Sequence, residues 1–518
     1  MKPTKAISQI LGGNLRQYFM VAVLVGVIVI FQLVTGLKQP HSSLLTALVH
    51  GKMISPTNMQ NLLNGNSYVL VIAIGMLFVI ITGQIDLAPG SVAAVVGIVM
   101  AMAITQRNPD GTFATSPWWW IGIIVGVAVA LAVAVAVGRT LERHRHMKRA
   151  PALVIGLVAG LLVGGAVALG LASAINAFGI PWWGGVLIGL GAGAAIGAWQ
   201  GAWLAYIGVP GFITTLAGQM LFRGVNQWIG QARSIPVPKP IQYIGGGYLP
   251  DWGPHWGPSV DGSGLNNSTV LLGVIAILVI ATLEFRQRAK LSRAAMDVPP
   301  LWTSVVRLVL LALVMGYLTF LFGSGPKGTS FPITGCILVA IVLTYNFIAT
   351  RTTLGRGVYA VGGNRIAAGL TGIDTKKIYF LAMANVSFLA GLAAIMFVGR
   401  SRSTGPADGT GWELDAIAAV FIGGAAVSGG VGTVFGSIIG GLVMASLNNG
   451  LYLMGIGSDK QKMIKGLVLL VAVAIDLYSK SQGRPSIIGT VQRNLQQRRK
   501  KPDLGSTTTV ATAGTASN

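Results

Sequence analysis

The chain has 518 residues, of which 53% are hydrophobic and only 10% charged, with a formal net charge of +23. A soluble domain carries about 25% charged residues, so a soluble enzyme and a disordered chain are both excluded. Cys336 is the sole cysteine, which excludes a disulfide scaffold. The mean hydropathy of +0.69 fits an all-α, polytopic membrane protein.

Fourteen apolar segments follow one another along the chain. They cover 18–37, 67–83, 87–105, 118–137, 152–175, 184–206, 212–229, 270–283, 305–321, 333–350, 379–398, 414–428, 434–451 and 463–478. Several are shorter than the roughly 20 residues a full span needs, which predicts tilted or re-entrant elements. Segment 414–428 is the weakest of them. Lys2, Lys5 and Arg16 precede the first segment, and no small-residue cleavage site follows it. Basic residues concentrate between 139 and 149, between 286 and 293, between 351 and 377 and after 480. By the positive-inside rule these regions and both termini are expected in the cytoplasm, next to anionic lipid. The expected organisation is a cytoplasmic N-terminus at 1–17, a transmembrane domain at 18–480 and a cytoplasmic tail at 481–518, basic at first and then disordered. Within the domain, 231–267 is an extracytoplasmic loop rich in Gly, Pro and Trp, and 351–377 is a cytoplasmic loop.

Polar residues inside apolar surroundings are the candidate functional positions. Asp86 lies in GQIDLAPGS, where Pro89 and Gly90 interrupt the apolar run. It either caps the helix that starts there or lines a polar break, and the two roles are compatible. Glu413 and Asp415 stand at the entry to a glycine-rich segment, where acids favour a helix N-terminus. Asn448 and Asn449 lie deep in a span, where amides bond across helices or face water. Trp252 and Trp256 either stack on a sugar ring or belong to an interfacial aromatic belt, as do Trp118–Trp120, Trp182 and Trp183. In the loop 351–377, Asn364 is a candidate N-cap for a short helix over 365–371, with Gly372 as its stop. That helix would carry Ile366 and Leu370 on one side, resting on lipid or on a partner.

The string GSGPKGTS from Gly323 has the wrong spacing for a P-loop, so ATP binding in this chain is not expected. No cofactor or metal is expected either. His144 and His146 fall within a basic loop, which favours a topological role over a metal site. An integral-membrane enzyme would want paired carboxylates or a histidine in a water-facing cleft, and the acidic pair Glu413/Asp415 has no histidine nearby.

Four stretches carry a family resemblance: GMLFVIITGQIDLAPGSVAAVVG from Gly75, GVPGFITTLAGQMLFRGV from Gly208, TTLGRGVYAVGGNRIAAGLTGID from Thr352, and ELDAIAAVFIGGAAVSGGVGTVFGSIIGGLVMASLNNGL from Glu413. With the final LVLLVAVAIDL, the chain resembles permease subunits of bacterial ABC importers for monosaccharides, of the ribose/xylose/multiple-sugar type. These share a superfamily with branched-chain amino-acid permeases. The resemblance implies a ten-helix core, to which this chain adds helix pairs around 118–175 and within 270–321. It implies a second permease copy, a separate ATP-binding subunit that carries ATP and Mg, and an extracytoplasmic sugar-binding protein. It also implies a coupling element over 355–373, carried by Gly355, Arg356, Gly362, Gly363, Asn364, Ala367, Gly372 and Ile373. Asp86, Pro89, Gly90, Glu413, Asp415, Asn448 and Asn449 are the candidates for the translocation path or its helix breaks. The rival readings are a secondary transporter driven by an ion gradient and an importer for branched-chain amino acids. The first would leave the motif at 352–374 without a purpose, and the GQIDLAPGS motif looks like the sugar branch.

Overall fold

The computed structural model describes residues 15–38, 43–105, 180–255, 257, 264–294 and 300–481, with further helical positions between 127 and 170 that include Leu157–Val167. The segment expected at 118–137 falls largely outside the described residues, and that at 152–175 falls outside them in part. His144, His146, Trp118–Trp120, Trp256, most of 1–17 and all of the tail after 481 also lie outside them.

The described chain is helical almost throughout. It opens with α1 (Leu15–Leu37), a short α2 (Leu44–His50), α3 (Pro56–Ile81) and α4 (Pro89–Thr105). There follow α5 (Trp182–Ala202), which ends in a π-turn over Trp203–Ile207, then α6 (Gly211–Gly230) and a short α7 (Lys239–Gly246). Next come α8 (Asn267–Arg293), α9 (Leu301–Gly323), α10 (Ile333–Arg351), α11 (Thr353–Gly363), α12 (Arg365–Leu370) and α13 (Thr375–Ser401). The last three are α14 (Trp412–Ile422), α15 (Val434–Leu453) and α16 (Ser458–Ser481). Among the described residues, eight helices are long and apolar enough to cross a membrane.

Two of these helices form the centre. α3 is the most enclosed, and α13 packs against α3, α4, α5 and α7. Every fourth residue of α5 from Gly185 to Gly201 is a buried glycine. A Cβ on Gly197 would lie 2.8 Å from the Cα of Ala384, and one on Gly201 2.8 Å from the Phe380 carbonyl oxygen. The stripe therefore lets α5 and α13 approach at backbone distance, which is how helices associate where water supplies no driving force. α8 and α9 form a peripheral hairpin with little burial. It is tied internally by Arg307–Glu284 at 3.5 Å and by Arg288 donating to Ser304 Oγ at 2.9 Å.

α13 runs about 40 Å at 1.5 Å per residue, so its two ends mark opposite ends of the bundle. α12 lies at the first end. At the second, β1 (Ile235–Pro236) pairs antiparallel with β2 (Ser403–Thr404), and α7 packs against Met396–Arg400.

The elements differ from the expected segments at the breaks. α3 begins eleven residues before segment 67–83, because its first turns carry Asn58, Gln60 and Asn64. Their amides are satisfied inside the bundle: Gln60 donates to Phe322 O at 2.9 Å, and Asn64 accepts from Thr334 Oγ1 at 2.7 Å. Segment 414–428 is not one helix, since α14 stops at Ile422 and a run of positive-φ glycines (Gly424, Gly429, Gly430) separates it from α15. Only glycine enters that region without steric cost.

Candidate functional site

The first candidate region is the end that carries α12. Thr352 accepts from Gly355 N at 3.2 Å and starts α11. Asn364 ends α11 and starts α12, with its Oδ1 accepting from Ala367 N at 3.0 Å. Gly372 adopts φ +84°, and Asp374 caps α13 by accepting from Lys377 N at 3.1 Å. The result is a short helix fixed by three caps, with Ala368 buried in the core and Arg365 over the Tyr379 ring at 5.1 Å. Ile366 is 77% and Leu370 85% exposed, so two large apolar side chains have no cover.

The other residues expected here divide by surroundings. A Cβ on Gly355 would overlap the carbonyl oxygens of Ile348 and Ala349, and one on Gly362 would overlap Ile81 O. Gly363 has nothing within 4 Å. Arg356 is exposed, Ala367 supplies the capped amide, and Ile373 is half-buried against the core.

The second candidate region is a seam of broken helices. α3 ends at Ile81, the chain turns at Gly83 (φ +79°), and residues 84–88 form no regular element before α4. Asp86 is fully buried, and its Oδ1 accepts from Ala88 N at 2.8 Å. This is an Asx turn that delivers the chain to Pro89, the first residue of α4. The expected N-cap thus acts from two residues before the cap position. Beside it, Gly90 and Gly409 (φ +74°) touch backbone to backbone, and a Cβ on Gly90 would also overlap Glu413 Oε2. Pro89 and Gly90 therefore join Glu413 in one place.

Glu413 and Asp415 do not act as a pair. Two residues apart on α14 they point about 200° apart. Glu413 accepts from Gln219 Nε2 of α6 at 3.0 Å. Asp415 accepts from Lys465 Nζ of α16 at 2.9 Å and is hydrogen-bonded by Asn448 of α15. Asn449 turns elsewhere, donating to Met53 Sδ at 3.7 Å. Among the described residues no three His, Cys, Asp or Glu side chains gather as metal ligands. Trp252 is exposed, and Asn267 Nδ2 donates to its carbonyl oxygen.

Several seam residues were not singled out from the sequence. Gln219 of α6 faces Glu413 on α14, and Arg223 and Asn226 face the turn 405–411. Arg223 donates to Asp408 O, and Asn226 Nδ2 donates to Pro406 O at 3.3 Å. Asp408 in turn accepts from Gly405 N at 2.8 Å and Thr404 Oγ1 at 3.2 Å. The signal was present as helical spacing: Thr215, Gln219, Arg223 and Asn226 recur at i, i+4, i+8 and i+11 in an otherwise apolar helix. The carbonyls that receive these bonds belong to Pro406 and Asp408, which have no pattern of their own. Lys465 falls within the span expected at 463–478 and Tyr359 within the loop 351–377.

Three comparisons bear on this arrangement. Residues 316–473 match the family described as branched-chain amino acid transport system / permease component. That stretch runs from the end of α9 into α16 and contains α12 and the Glu413 side of the seam. The xylose transport system permease protein of Haemophilus influenzae is 29% identical over 90% of this chain and 98% of its own length. Its Escherichia coli K12 counterpart is 28% identical over 90% and 93%. The ribose import permease protein of Escherichia coli K12 is 43% identical over 30% of this chain and 48% of its own length. No solved structure matches the chain.

Proposed function

We infer that this chain, whose residues 316–473 match the branched-chain amino acid transport system / permease component family, is the membrane-spanning subunit of an ATP-driven sugar importer. It carries a monosaccharide into a bacterial cell across the inner membrane, as a transport subunit and not as the hydrolysing enzyme. The near full-length likeness to two xylose permeases favours a sugar over a branched-chain amino acid, and makes xylose the first sugar to test.

The observation that carries this reading is α12. A six-residue helix with two bare apolar side chains, fixed by Asn364, Gly372 and Asp374, suits docking to a second protein. Burying Ile366 and Leu370 on a partner is worth about 1.5–3 kcal/mol each. A transporter driven by an ion gradient has no use for such an element. The partner is a separate ATP-binding subunit, which supplies ATP and Mg from its own chain, and Gly355–Ile373 is the coupling element. The α12 end and both termini face the cytoplasm. The α7 end faces outward and receives sugar from an extracytoplasmic binding protein. Two copies of the permease enclose the passage. Asp86, Pro89, Gly90 and Glu413 line or shape it at the seam, with Asp415, Asn448 and Asn449 holding the helices around it.

The test is purification in mild detergent from the native host, followed by reconstitution in vesicles with xylose. The expected result is a stoichiometric P-loop ATPase, and uptake that requires ATP and persists when proton and sodium gradients are collapsed. Repeated recovery without an ATPase, with uptake that stops when a gradient is collapsed, would overturn the reading in favour of a secondary transporter.

A further inference from the structure

α12 is joined to the seam by an arrangement that the docking role alone does not require. The end of α3, the end of α11 and the glycine run before α15 meet backbone to backbone. Gly430 N donates to Ile81 O at 2.8 Å. A Cβ on Gly362 would overlap that same oxygen and lie 2.7 Å from Gly430 N. Gly429 (φ +82°) packs its Cα region against Ile81 O, Gly83 N and Gly362 O. A side chain secures this junction: the Tyr359 hydroxyl of α11 donates to Gly432 O at 2.7 Å. Its ring is half-buried and packs against the hydrophobic core.

Two chain routes lead from the junction to the seam. From Ile81 the chain passes through Gly83 to Asp86 and the start of α4. From Gly432 it passes back through Gly423 into α14, whose first turn holds Glu413. The routes meet again where Gly90 touches Gly409 and Glu413. A closed loop of short backbone links therefore connects α11 to both half-helices. The Gly430–Ile81 bond ties the run to α3, but the glycine contacts between α11 and the run lack side chains that interlock, so they slide unless something pins them. Tyr359 supplies the pin.

We propose that Tyr359 is a positioning residue that locks α11 to the glycine run through Gly432, so that a displacement of α12 reaches the starts of α4 and α14 together. This rests on the importer reading. Without the hydroxyl, α12 still docks its partner, but part of its motion is lost as slip at the glycine junction.

The experiment uses the full complex purified from the native host and reconstituted in vesicles, with ATP hydrolysed and xylose accumulated measured in the same sample. For Tyr359→Phe, which keeps the ring, the expected result is a fall in xylose imported per ATP of about two- to tenfold, the range that one lost hydrogen bond spans. The ATPase still co-purifies. A wild-type ratio in Tyr359→Phe overturns the proposal. So does a variant that loses uptake and hydrolysis in equal proportion with a lowered unfolding temperature, since that is what a merely structural tyrosine would do. Failure of the importer reading is separately visible, because the wild-type preparation would then contain no ATPase.

Discussion

Gly362 and Gly363 are neighbours in sequence with opposite surroundings. Gly362 is pressed against Ile81 O and Gly430 N, whereas Gly363 has open space around it. Gly362→Ala must push backbone apart and is expected to cost about 1–3 kcal/mol, the usual penalty of overpacking. Gly363→Ala should leave the unfolding temperature of the detergent-solubilised protein unchanged. Gly363→Trp should also fold, yet lose transport, because the added bulk meets a docked partner and not the bundle. Thermal melts of the purified variants, followed by uptake assays, check both statements. Asp86 permits a similar separation. Its Oδ1 serves the Ala88 amide, and an asparagine keeps that acceptor. Asp86→Asn is expected to accumulate in the membrane like wild type, while Asp86→Ala loses about 1 kcal/mol of local capping and transports less. Equal accumulation and equal transport in the alanine variant would show that the turn forms without its side chain.

At the scale of elements, α12 and the Lys465–Asp415 tie are the testable units. Ile366 and Leu370 contribute little to the fold, being 77% and 85% exposed. Leu370→Asp is therefore expected to leave the melting temperature intact and to remove the ATPase from the purified complex; retention of the ATPase would point to another docking surface. Lys465 behaves differently because it links α16 to α14 through a carboxylate that is almost enclosed. Removing one partner of such a pair leaves a charge without compensation, at a cost of up to about 3–5 kcal/mol when burial is complete and less here, where the lysine is partly exposed. Lys465→Ala should thus lower the melting temperature. The double variant Lys465→Met/Asp415→Leu should recover much of the loss, since an apolar pair needs no solvation. A double variant no more stable than Lys465→Ala would mean that Asn448, left without its acceptor, dominates the site.

Over the whole molecule, the long helices provide a frame, and under the importer reading the short ones would carry the motion between its ends. α3, α5 and α13 are locked by a glycine stripe and by enclosed side chains. α4, α11, α12 and α14 are shorter than a span, and glycine backbone contacts lie at the ends of α4, α11 and α14. Rigid and breakable parts therefore alternate between the α12 end and the seam. The peripheral α8–α9 hairpin lies outside this route and packs chiefly on itself.

Composition and hydropathy by themselves determined that the chain is a helical membrane protein, because a bilayer admits few other solutions for so apolar a sequence. Short-range rules also read correctly where partners are close in sequence: the Asn364 cap, the Gly372 stop and the break around Asp86 each depend on residues two to four positions away. Tertiary structure decided the rest. The polar start of α3 reads as a loop until Phe322 O and Thr334 satisfy its amides from 262 and 270 residues away. Glu413 and Asp415 look like one acidic pair until the helical turn sends them to Gln219 and Lys465 on different helices. The junction of Ile81, Gly362, Gly430 and Tyr359 has no local signature, since backbone carbonyls and amides are the same at every residue. Which of them meet is set only when the helices that carry them are packed.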